Sequence, residues 1–463
     1  MDIKLEEKLQ EFASEIRARD DFAVIHHYDA DGISAGAIVA KALQRDEKKL
    51  KCKAVKQLYS ETFEEIKGLG ENYIFVDFGS GQLEELKKEF GDNFFVLDHH
   101  QPVDVEHKFH INPFHFGIDG GNEISGAGMA YLFAKTYDSE NKFLAPLAIV
   151  GAVGDMQDFS GKLRGMNAEI LQEAVANGFM ESGNDLRLYG RISRPLTQFL
   201  MFSSNPIIPE LTADEEKCIK FLNRLGIELR QNEQWRSYID LSAEEKKKLT
   251  SALIVHMHSH NVVEWKIKEL IGEIYTLVKE DRKSPLSDAK EFATLMNSCG
   301  RHGMAEIGLA VAMGDRKEEY GKALSLLVEH RKQLREGIEM MKERGLEEME
   351  AFYFFDAGEE IKDSIVGIVA GMLYGSGTIE SSKPVIAFAR HEDGSVKVSG
   401  RGTKELVYKG LNLGMAFKEV CAELGEGAQG GGHKIAAGCK FPAESKDKFL
   451  ELLNTGIKRQ ITS

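Results

Sequence analysis

The sequence predicts an α/β fold: a parallel-sheet domain with a helical insertion, a long connector helix, and a smaller α/β carboxyl-terminal domain. Three observations carry this. Short runs rich in β-branched and aromatic residues alternate with helical stretches through the first hundred positions, as in a parallel sheet with helical crossovers. The alternation stops after about Gly190, and strand-like runs return only beyond a long amphipathic stretch that begins at Tyr320. At ~150 residues per domain, 463 residues also leave room for two to four cores.

Leu5, Leu9, Phe12 and Ile16 share one face of an expected first helix. Strands are expected at Phe22–Ile25, Lys53–Val55, Tyr73–Val76 and Phe94–Leu97, with helices at Ser34–Leu43 and Leu83–Phe90 between them. The apolar run ending at Asp155 (LAPLAIVGAVGD) reads as a buried helix as readily as a strand. Three of the nine prolines then fall in RPLTQFLMFSSNPIIPELTADEE, and the charged segment up to about Leu286 reads as short helices without strands. Leu324, Leu327, Leu334, Ile338 and Met341 fall three, four or seven apart until Gly345, predicting a connector helix of ~40 Å. Ala351–Phe355 and Val385–Ala389 read as strands, and His391–Gly394 as a turn into SVKVSG. The expected domains are therefore residues 1–200, an insertion at 201–290, a return and connector at 291–345, and a terminal domain at 346–463.

Composition excludes several function classes. The 59 lysines and arginines face 74 aspartates and glutamates, and a net charge of −15 argues against broad nonspecific coating of nucleic acid, leaving a local basic groove as the way to hold it. Five cysteines without a CxxC pair suggest neither a disulfide framework nor a thiolate zinc site, and fit a cytoplasmic setting. No apolar run approaches the ~18 residues of a membrane span, so neither signal peptide nor membrane partner is expected.

The chemistry is carried by where the acids sit. One strand exits into HHYDADG, the next into Asp77-Phe78-Gly79, another into Asp98-His99-His100, and Asp155 ends a further apolar run. The carboxyl ends of parallel strands line one crevice, so His27, Asp29, Asp31, Asp77, Asp98, His99, His100 and Asp155 can converge. A single Asp after a strand is ordinarily a cap or turn residue; four coincident exits are not. Alternation along the strand sends His26 and His27 to opposite faces, and His27 is in phase with Asp29 and Asp31. Clustered carboxylates raise one another's pKa unless a cation is bound. Oxygen and imidazole donors without thiolate suit Mn²⁺ or Mg²⁺, and two ions ~3.5–4 Å apart would serve phosphoester hydrolysis. A second cluster, ELGEGAQGGGHKIAAG, places five glycines from Gly425 to Gly432 just before His433 and an expected Ala-Ala-Gly turn, a shaped anion site in which backbone amides approach a phosphate. Basic residues concentrate nearby, among them Lys383, Arg390, Lys397, Arg401 and Lys404, and a strand pair could present them as a strip for a single-stranded polyanion. There is no GxxxxGK[ST] string for P-loop nucleotide hydrolysis.

HHYDADG, VDFG, Asp98-His99-His100 and GAVGD resemble, in order and spacing, the four motifs of the DHH phosphoesterases, and GGGHKIAAG resembles the glycine-rich motif of the DHH-associated carboxyl-terminal domain. NSCGR (Asn297–Arg301) followed by a long helix is similar to the RecJ-type exonucleases. The insertion, INPFHFGIDGGNEISGAG and LYGRISRPL resemble the archaeal RecJ-like branch associated with GINS, related to a helicase subunit that keeps the fold without activity. The resemblance implies a Mn²⁺- or Mg²⁺-dependent 5′→3′ exonuclease on single-stranded DNA, held to the replicative helicase through GINS by the inserted module. It implies His27, Asp29, Asp31, Asp77, His99 and Asp155 as ligands of two ions, with Asp77 bridging. It implies His100 on the scissile phosphate, Asp98 orienting a histidine, and Arg301, Arg401, Gly431, Gly432 and His433 holding the strand. Two alternatives stand beside it: a DHH phosphodiesterase on oligonucleotides or RNA, working 3′→5′, and a mainly structural replisome scaffold. The insertion and NSCGR weigh against the first, and intact ligands at every motif against the second.

Overall fold

The computed structural model describes every residue except Met1, Ser204, Gly377, Thr378, Glu392 and Ser463. The chain divides into two compact units, one of Met1–Met201 with Glu215–Leu327 and one of Phe202–Asp214 with Val328–Ser463.

In the first unit, Asp2 caps helix α1 (Ile3–Arg17), accepting from the Lys4 and Leu5 amides, and the four expected apolar residues of α1 are buried. There follow β1 (Asp21–His27), α2 (Ala30–Arg45), β2 (Lys49–Val55), α3 (Ser60–Ile66), β3 (Asn72–Val76), α4 (Leu83–Phe90), β4 (Phe94–Leu97) and β5 (His110–Ile111). The strands form a parallel sheet in the order β2-β1-β3-β4-β5. Both faces are covered, and the period of two decides which residue goes where: Phe22, Val24, Ile74, Val76, Phe95 and Leu97 join one core, whereas Ala23, Ile25, Tyr73, Phe75, Phe94 and Val96 join the other. The larger core is closed by α1, α2 and three further helices, α5 (Gly126–Tyr137), α6 (Ala145–Gly154) and α7 (Gly165–Ala176). The ambiguous run before Asp155 is thus a helix; α6 is buried almost all round, which erases the polar face that gives a helix its period. Strand order reverses between β1 and β3, so the crevice beyond their carboxyl ends is where such sheets bind ligands.

An antiparallel ribbon of β6 (Met180–Leu186) with β9 (Ile271–Leu277) brackets the inserted module. Between its strands lie α8 (Leu196–Met201), α9 (Glu215–Arg224), the hairpin β7 (Arg230–Gln231) and β8 (Gln234–Trp235), α10 (Ala243–Ser259) and α11 (Glu264–Lys268). The expectation of helices alone is corrected here. The hairpin strands are too short to show alternation, and β6 (MESGNDL) is too polar to read as a strand. Helices α12 (Ala289–Arg301) and α13 (Ala305–Met313) then return to the large core.

Helix α14 (Glu318–Arg344) places Leu324 and Leu327 in the core of the first unit and Leu334, Ile338 and Met341 in a core of the second. The second unit continues with β10 (Glu347–Glu348), β11 (Tyr353–Asp356), α15 (Asp363–Met372), β12 (Val385–Arg390), β13 (Val396–Arg401), α16 (Lys404–Tyr408), α17 (Leu413–Leu424), β14 (Gln429–Gly432), β15 (Ala436–Phe441) and α18 (Lys446–Thr462). Its mixed sheet runs β10-β11-β12-β13-β15-β14, with only β11 and β12 parallel. Helix α15 packs on one face and α17 and α18 on the other. The Ala-Ala-Gly stretch expected as a turn is the start of β15, because Ala437, Cys439 and Phe441 alternate into the core. Of the turn expected before β13, Glu392 lies outside the described residues. No helix among the described residues is long and apolar enough to cross a membrane.

Candidate metal centre

At the end of β1 the two histidines part as alternation requires. His26 is buried against Gly36, where a Cβ would stand 2.7 Å from its ring, and burial drives its pKa down to about 4. His27 turns to the crevice, its Nδ1 3.0 Å from Oδ2 of Asp29 and 3.6 Å from Oδ2 of Asp77. Asp29 caps α2, accepting from the Gly32 amide at 3.0 Å. Asp31 lies in the first turn of the same helix, and the chain makes unusual room for it. Its Oδ2 accepts from the Gly126 amide at 2.7 Å and its Oδ1 from the Ala127 amide at 3.0 Å, while a Cβ on Gly151 would meet Oδ1 at 2.3 Å.

Asp77 follows β3 with a φ of +67°, the left-handed region that L-residues other than Asn and Asp rarely occupy. Its amide donates to the Leu97 carbonyl at 2.9 Å, which holds this turn against β4. The carboxylate is buried, and Oδ1 accepts no hydrogen bond although Nε2 of His99 stands 3.1 Å away. A Cβ on Gly126 would lie 2.4 Å from the same oxygen. Nδ1 of His99 donates to the Gly120 carbonyl at 2.7 Å, so Nε2 is the nitrogen left facing Asp77 and Asp31, the latter at 3.7 Å. Asp98 orients the next histidine rather than this one: Oδ1 accepts from Nδ1 of His100 at 2.8 Å and from the amides of His99 and His100, and Oδ2 from the Ser80 amide. Burial opposes ionisation of Asp98, but these donors hold its carboxyl far below the usual range. Asp98 in turn outweighs burial at His100 and raises that imidazole to about 9.

Asp155 caps the end of α6, and its Oδ2 accepts from Nε2 of Gln157 at 2.9 Å. Burial, with the Asp77 charge behind it, pushes Asp31 well up and Asp155 up. The opposite holds for Asp77, where His27 and His99 outweigh burial and keep the carboxyl low. Two groups of possible ligands result, His27 with Asp29 and Asp77, and Asp31 with His99 and Asp155; Asp77 is also grouped with His99 and His100. Within each group the ligand atoms lie within 4.8 Å of one another. Hard oxygen donors, two imidazoles and a buried carboxylate oxygen without a hydrogen bond fit a pair of Mn²⁺ or Mg²⁺ ions.

Sequence reasoning gave no supporting role to the residues that hold this arrangement, although most lie in stretches it singled out: INPFHFGIDGGNEISGAG, GAVGD and NSCGR. Gly120, Gly126 and Gly151 let backbone or carboxylates approach, and Asn112 donates to the His100 carbonyl at 2.8 Å. Gln157 ties Asp155 to the Gly120 carbonyl, and Asn297 on α12 accepts from the Ala30 amide at 2.9 Å. A Cβ on Gly300 would stand 1.9 Å from the Tyr28 carbonyl oxygen, so α12 packs directly on the HHYDADG loop. That contact brings Arg301, whose charge helps to lower Asp29, to the crevice. The glycines in GIDGG and ISGAG were the available signal.

In the second unit Arg401 ends β13, paired across the sheet with Ala436. Its Nη1 donates to the Gly400 carbonyl at 2.8 Å, and a Cβ on Gly367 of α15 would lie 2.6 Å from Nη2. Gly431 pairs with Gly438, and Gly432 (φ +137°) leads into a tight turn closed by the His433 amide on the Ala436 carbonyl at 2.8 Å. Arg401 and the Gly431–His433 segment thus flank the start of β15 from its two sides, with His433 exposed. The expected strip of cations is broken: Lys383 pairs with Glu348 at 2.7 Å and Arg390 with Glu359 at 3.5 Å, whereas Lys397 and Arg401 share one face of β13 with Ser399.

This architecture has known counterparts. Residues 21–153 match the amino-terminal domain of the DHH family, 188–271 the DHH-CID domain, and 350–459 the DHHA1 domain. An uncharacterized protein of Methanocaldococcus jannaschii is 33% identical over 448 residues, covering 95% of this chain and 93% of the relative. The chain belongs to the DHH family. Its fold is of the RecJ type. RecJ of Thermus thermophilus, solved in complex with Mn²⁺, superposes with a TM-score of 0.60 at 18% identity, over 98% of this chain and 55% of that one. CDC45 of Entamoeba histolytica gives a TM-score of 0.64 at 15% identity over 98% of both chains. The chain thus spans about half the length of that RecJ and the whole length of CDC45.

Proposed function

We propose that this protein is a metal-dependent exonuclease that degrades single-stranded DNA 5′→3′ by a two-metal mechanism. The observation that carries the reading is the pair of ligand groups, His27 with Asp29 and Asp77 and Asp31 with His99 and Asp155, together with a buried Asp77 oxygen that accepts no hydrogen bond and stands 3.1 Å from His99. RecJ likeness in fold and the DHHA1 match support the nucleic-acid substrate. In this reading His27, Asp29 and Asp77 would hold one ion and Asp31, His99 and Asp155 the other, with Asp77 also set beside His99. A Mn²⁺ or Mg²⁺ pair held there would supply Lewis-acid activation of water and charge neutralisation at phosphorus. Asp98 keeps His100 protonated and aimed, so that the imidazolium donates to a non-bridging phosphate oxygen. Arg301 grips a neighbouring backbone phosphate, and Arg401 with Gly431, Gly432 and His433 tracks the strand by charge and backbone amides. The inserted module, residues 201–290, docks GINS in the cytoplasm; the DHH-CID match and the likeness to CDC45 support that assignment.

The test is a Mn²⁺ time course on single-stranded DNA labelled at either end, with a matched RNA pair and Asp77→Asn protein as control. Immediate release of a 5′-labelled mononucleotide, with a ladder from the 3′-labelled strand, is the expected result. The reverse pattern or a preference for RNA moves the protein to an oligonucleotide phosphodiesterase role. The extent of the CDC45 likeness favours one further reading, a replisome scaffold, which takes over if neither strand is cut.

A further inference from the structure

The inserted module, proposed above to dock GINS, also carries a cleft that shares no lining residue with the metal ligands. It encloses about 240 Å³ between residues 192–195, the end of the β7–β8 hairpin, residues 237–240 and Lys283. Trp235, 52% exposed, lines it, with the Arg230 guanidinium 4.0 Å from the ring centroid. Arg194, whose guanidinium stacks 4.7 Å from the Tyr189 ring centroid, and Lys283 also line it, against the single carboxylate of Asp240. That carboxylate accepts from the Ser237 amide at 2.8 Å and hydroxyl at 2.9 Å and lies 3.3 Å from the Lys283 ammonium. In a chain of net charge −15, this is a locally cationic cleft with a large aromatic ring in its wall.

We propose that this cleft binds one nucleotide, its base on Trp235 and its phosphate between Arg194 and Lys283. Arg230 covers one face of the indole; an acidic peptide would use the two cations and leave the other face without a stacking partner, and a lipid headgroup has no flat face to stack. A nucleotide uses both, since any base presents a π-face to an aromatic ring and a phosphate to paired cations. The floor of the cleft is fixed to the catalytic body: the amides of Ile192 and Ser193 donate to the Glu291 carboxylate at 2.8 and 3.1 Å, and Glu291 lies on α12, the helix that ends in Arg301. A strand seated here is held by the same helix that packs on the HHYDADG loop. The inference rests on the nucleic-acid reading above for the choice of nucleotide as ligand.

The chain has two tryptophans, so a Trp265→Phe protein reports from Trp235 alone. In EDTA, which prevents hydrolysis, its fluorescence is titrated with dAMP and, separately, with a twelve-residue deoxyadenosine oligonucleotide. Saturable quenching is expected, with a Kd raised roughly tenfold by Lys283→Glu. That side chain is 78% exposed, and an unchanged thermal melt of the variant checks that the fold is kept. Quenching by the oligonucleotide alone identifies a strand as the source of the nucleotide, and quenching by dAMP at similar Kd identifies free nucleotide. Absence of saturable quenching with either probe, or a Kd unchanged in Lys283→Glu, overturns the proposal. Hydrolysis by the same protein in Mn²⁺ is scored separately: cutting without quenching removes the cleft, and quenching without cutting removes the nuclease.

Discussion

In the proposed reading, the candidate metal centre and the glycine-rich face of the second unit would handle the same ligand chemistry in opposite ways. At the ends of β1, β3 and β4 the functional groups are side chains, largely buried and pinned by backbone: Asp31 by two amides, Asp98 by three, His99 by a carbonyl. Along β13 and β15 the functional surface is mostly backbone, with Gly431, Gly432 and Gly438 giving access and long cations at the edge. Chemistry at one phosphorus needs ligands fixed to fractions of an ångström, and burial of charge is the cost of that fixing. Tracking a strand of variable sequence needs close approach and net charge, which glycine and exposed cations supply. Substitutions in the first region should therefore act on turnover, and in the second on affinity.

The largest effect is expected at Asp77. Asparagine tolerates the same left-handed φ, so Asp77→Asn keeps the turn while removing the charge that stands beside His27, Asp29 and His99. Hydrolysis should fall on the order of 10³-fold or more, with thermal unfolding in EDTA little changed. Turnover in Mn²⁺ within tenfold of wild type would break the two-ion assignment.

Gly126→Ala sharpens the same side of the comparison without touching a charged group. The new Cβ falls 2.4 Å from Oδ1 of Asp77 and 2.7 Å from its Cβ, so the carboxylate must move. Calorimetric titration with Mn²⁺ should show affinity reduced roughly 10–100-fold, as for other losses of ligand support, with stability lowered by about 1–3 kcal/mol from overpacking. Unchanged affinity would mean that Asp77 is not a ligand in the position seen here.

Asp98→Asn should cost roughly 10–100-fold in rate, and its signature is the pH profile. The Asp98 charge favours the protonated form of His100 and raises its pKa to about 9. Activity that needs the imidazolium therefore persists through neutral pH and is lost as pH rises past about 9. With asparagine the support disappears, and the falling limb should move down toward the ordinary histidine value of ~6.5 or below. A limb that stays in place removes His100 from the role of donor.

How much of this was legible depended on whether a signal was local. The strands Tyr73–Val76 and Phe94–Leu97 read correctly from composition within a residue at either end, because buried parallel strands are continuous apolar runs. Their exits, with that of β1 and the end of α6, supplied the carboxylates and imidazoles that lie together at the crevice. Helix α6 hid because burial on all sides removes periodicity, and β6 hid because its partner β9 lies about ninety residues on and its own face is polar. The supports of the site were invisible for the same reason: the Ala30 amide meets Asn297, and Tyr28 meets Gly300, across more than 260 positions. In the second unit the glycine string was visible, but whether it was loop or edge strand was decided by pairing with β15, which no local pattern encodes.

The smallest effect is expected on the other side of the comparison. Arg401 is held by the Gly400 carbonyl and lies over Gly367, so its guanidinium has a fixed place beside the glycine-rich edge. If that region only tracks the strand, Arg401→Ala should weaken binding of a long single strand roughly tenfold and lower the salt slope of log Kd by about one, the share of one phosphate contact. Hydrolysis of a dinucleotide should change less than about twofold, since an interaction made equally in ground and transition states alters affinity and not turnover. A matching loss on dinucleotide and long strand would place Arg401 in the chemistry, and the division of labour between a fixed metal crevice and an open tracking face would then be wrong.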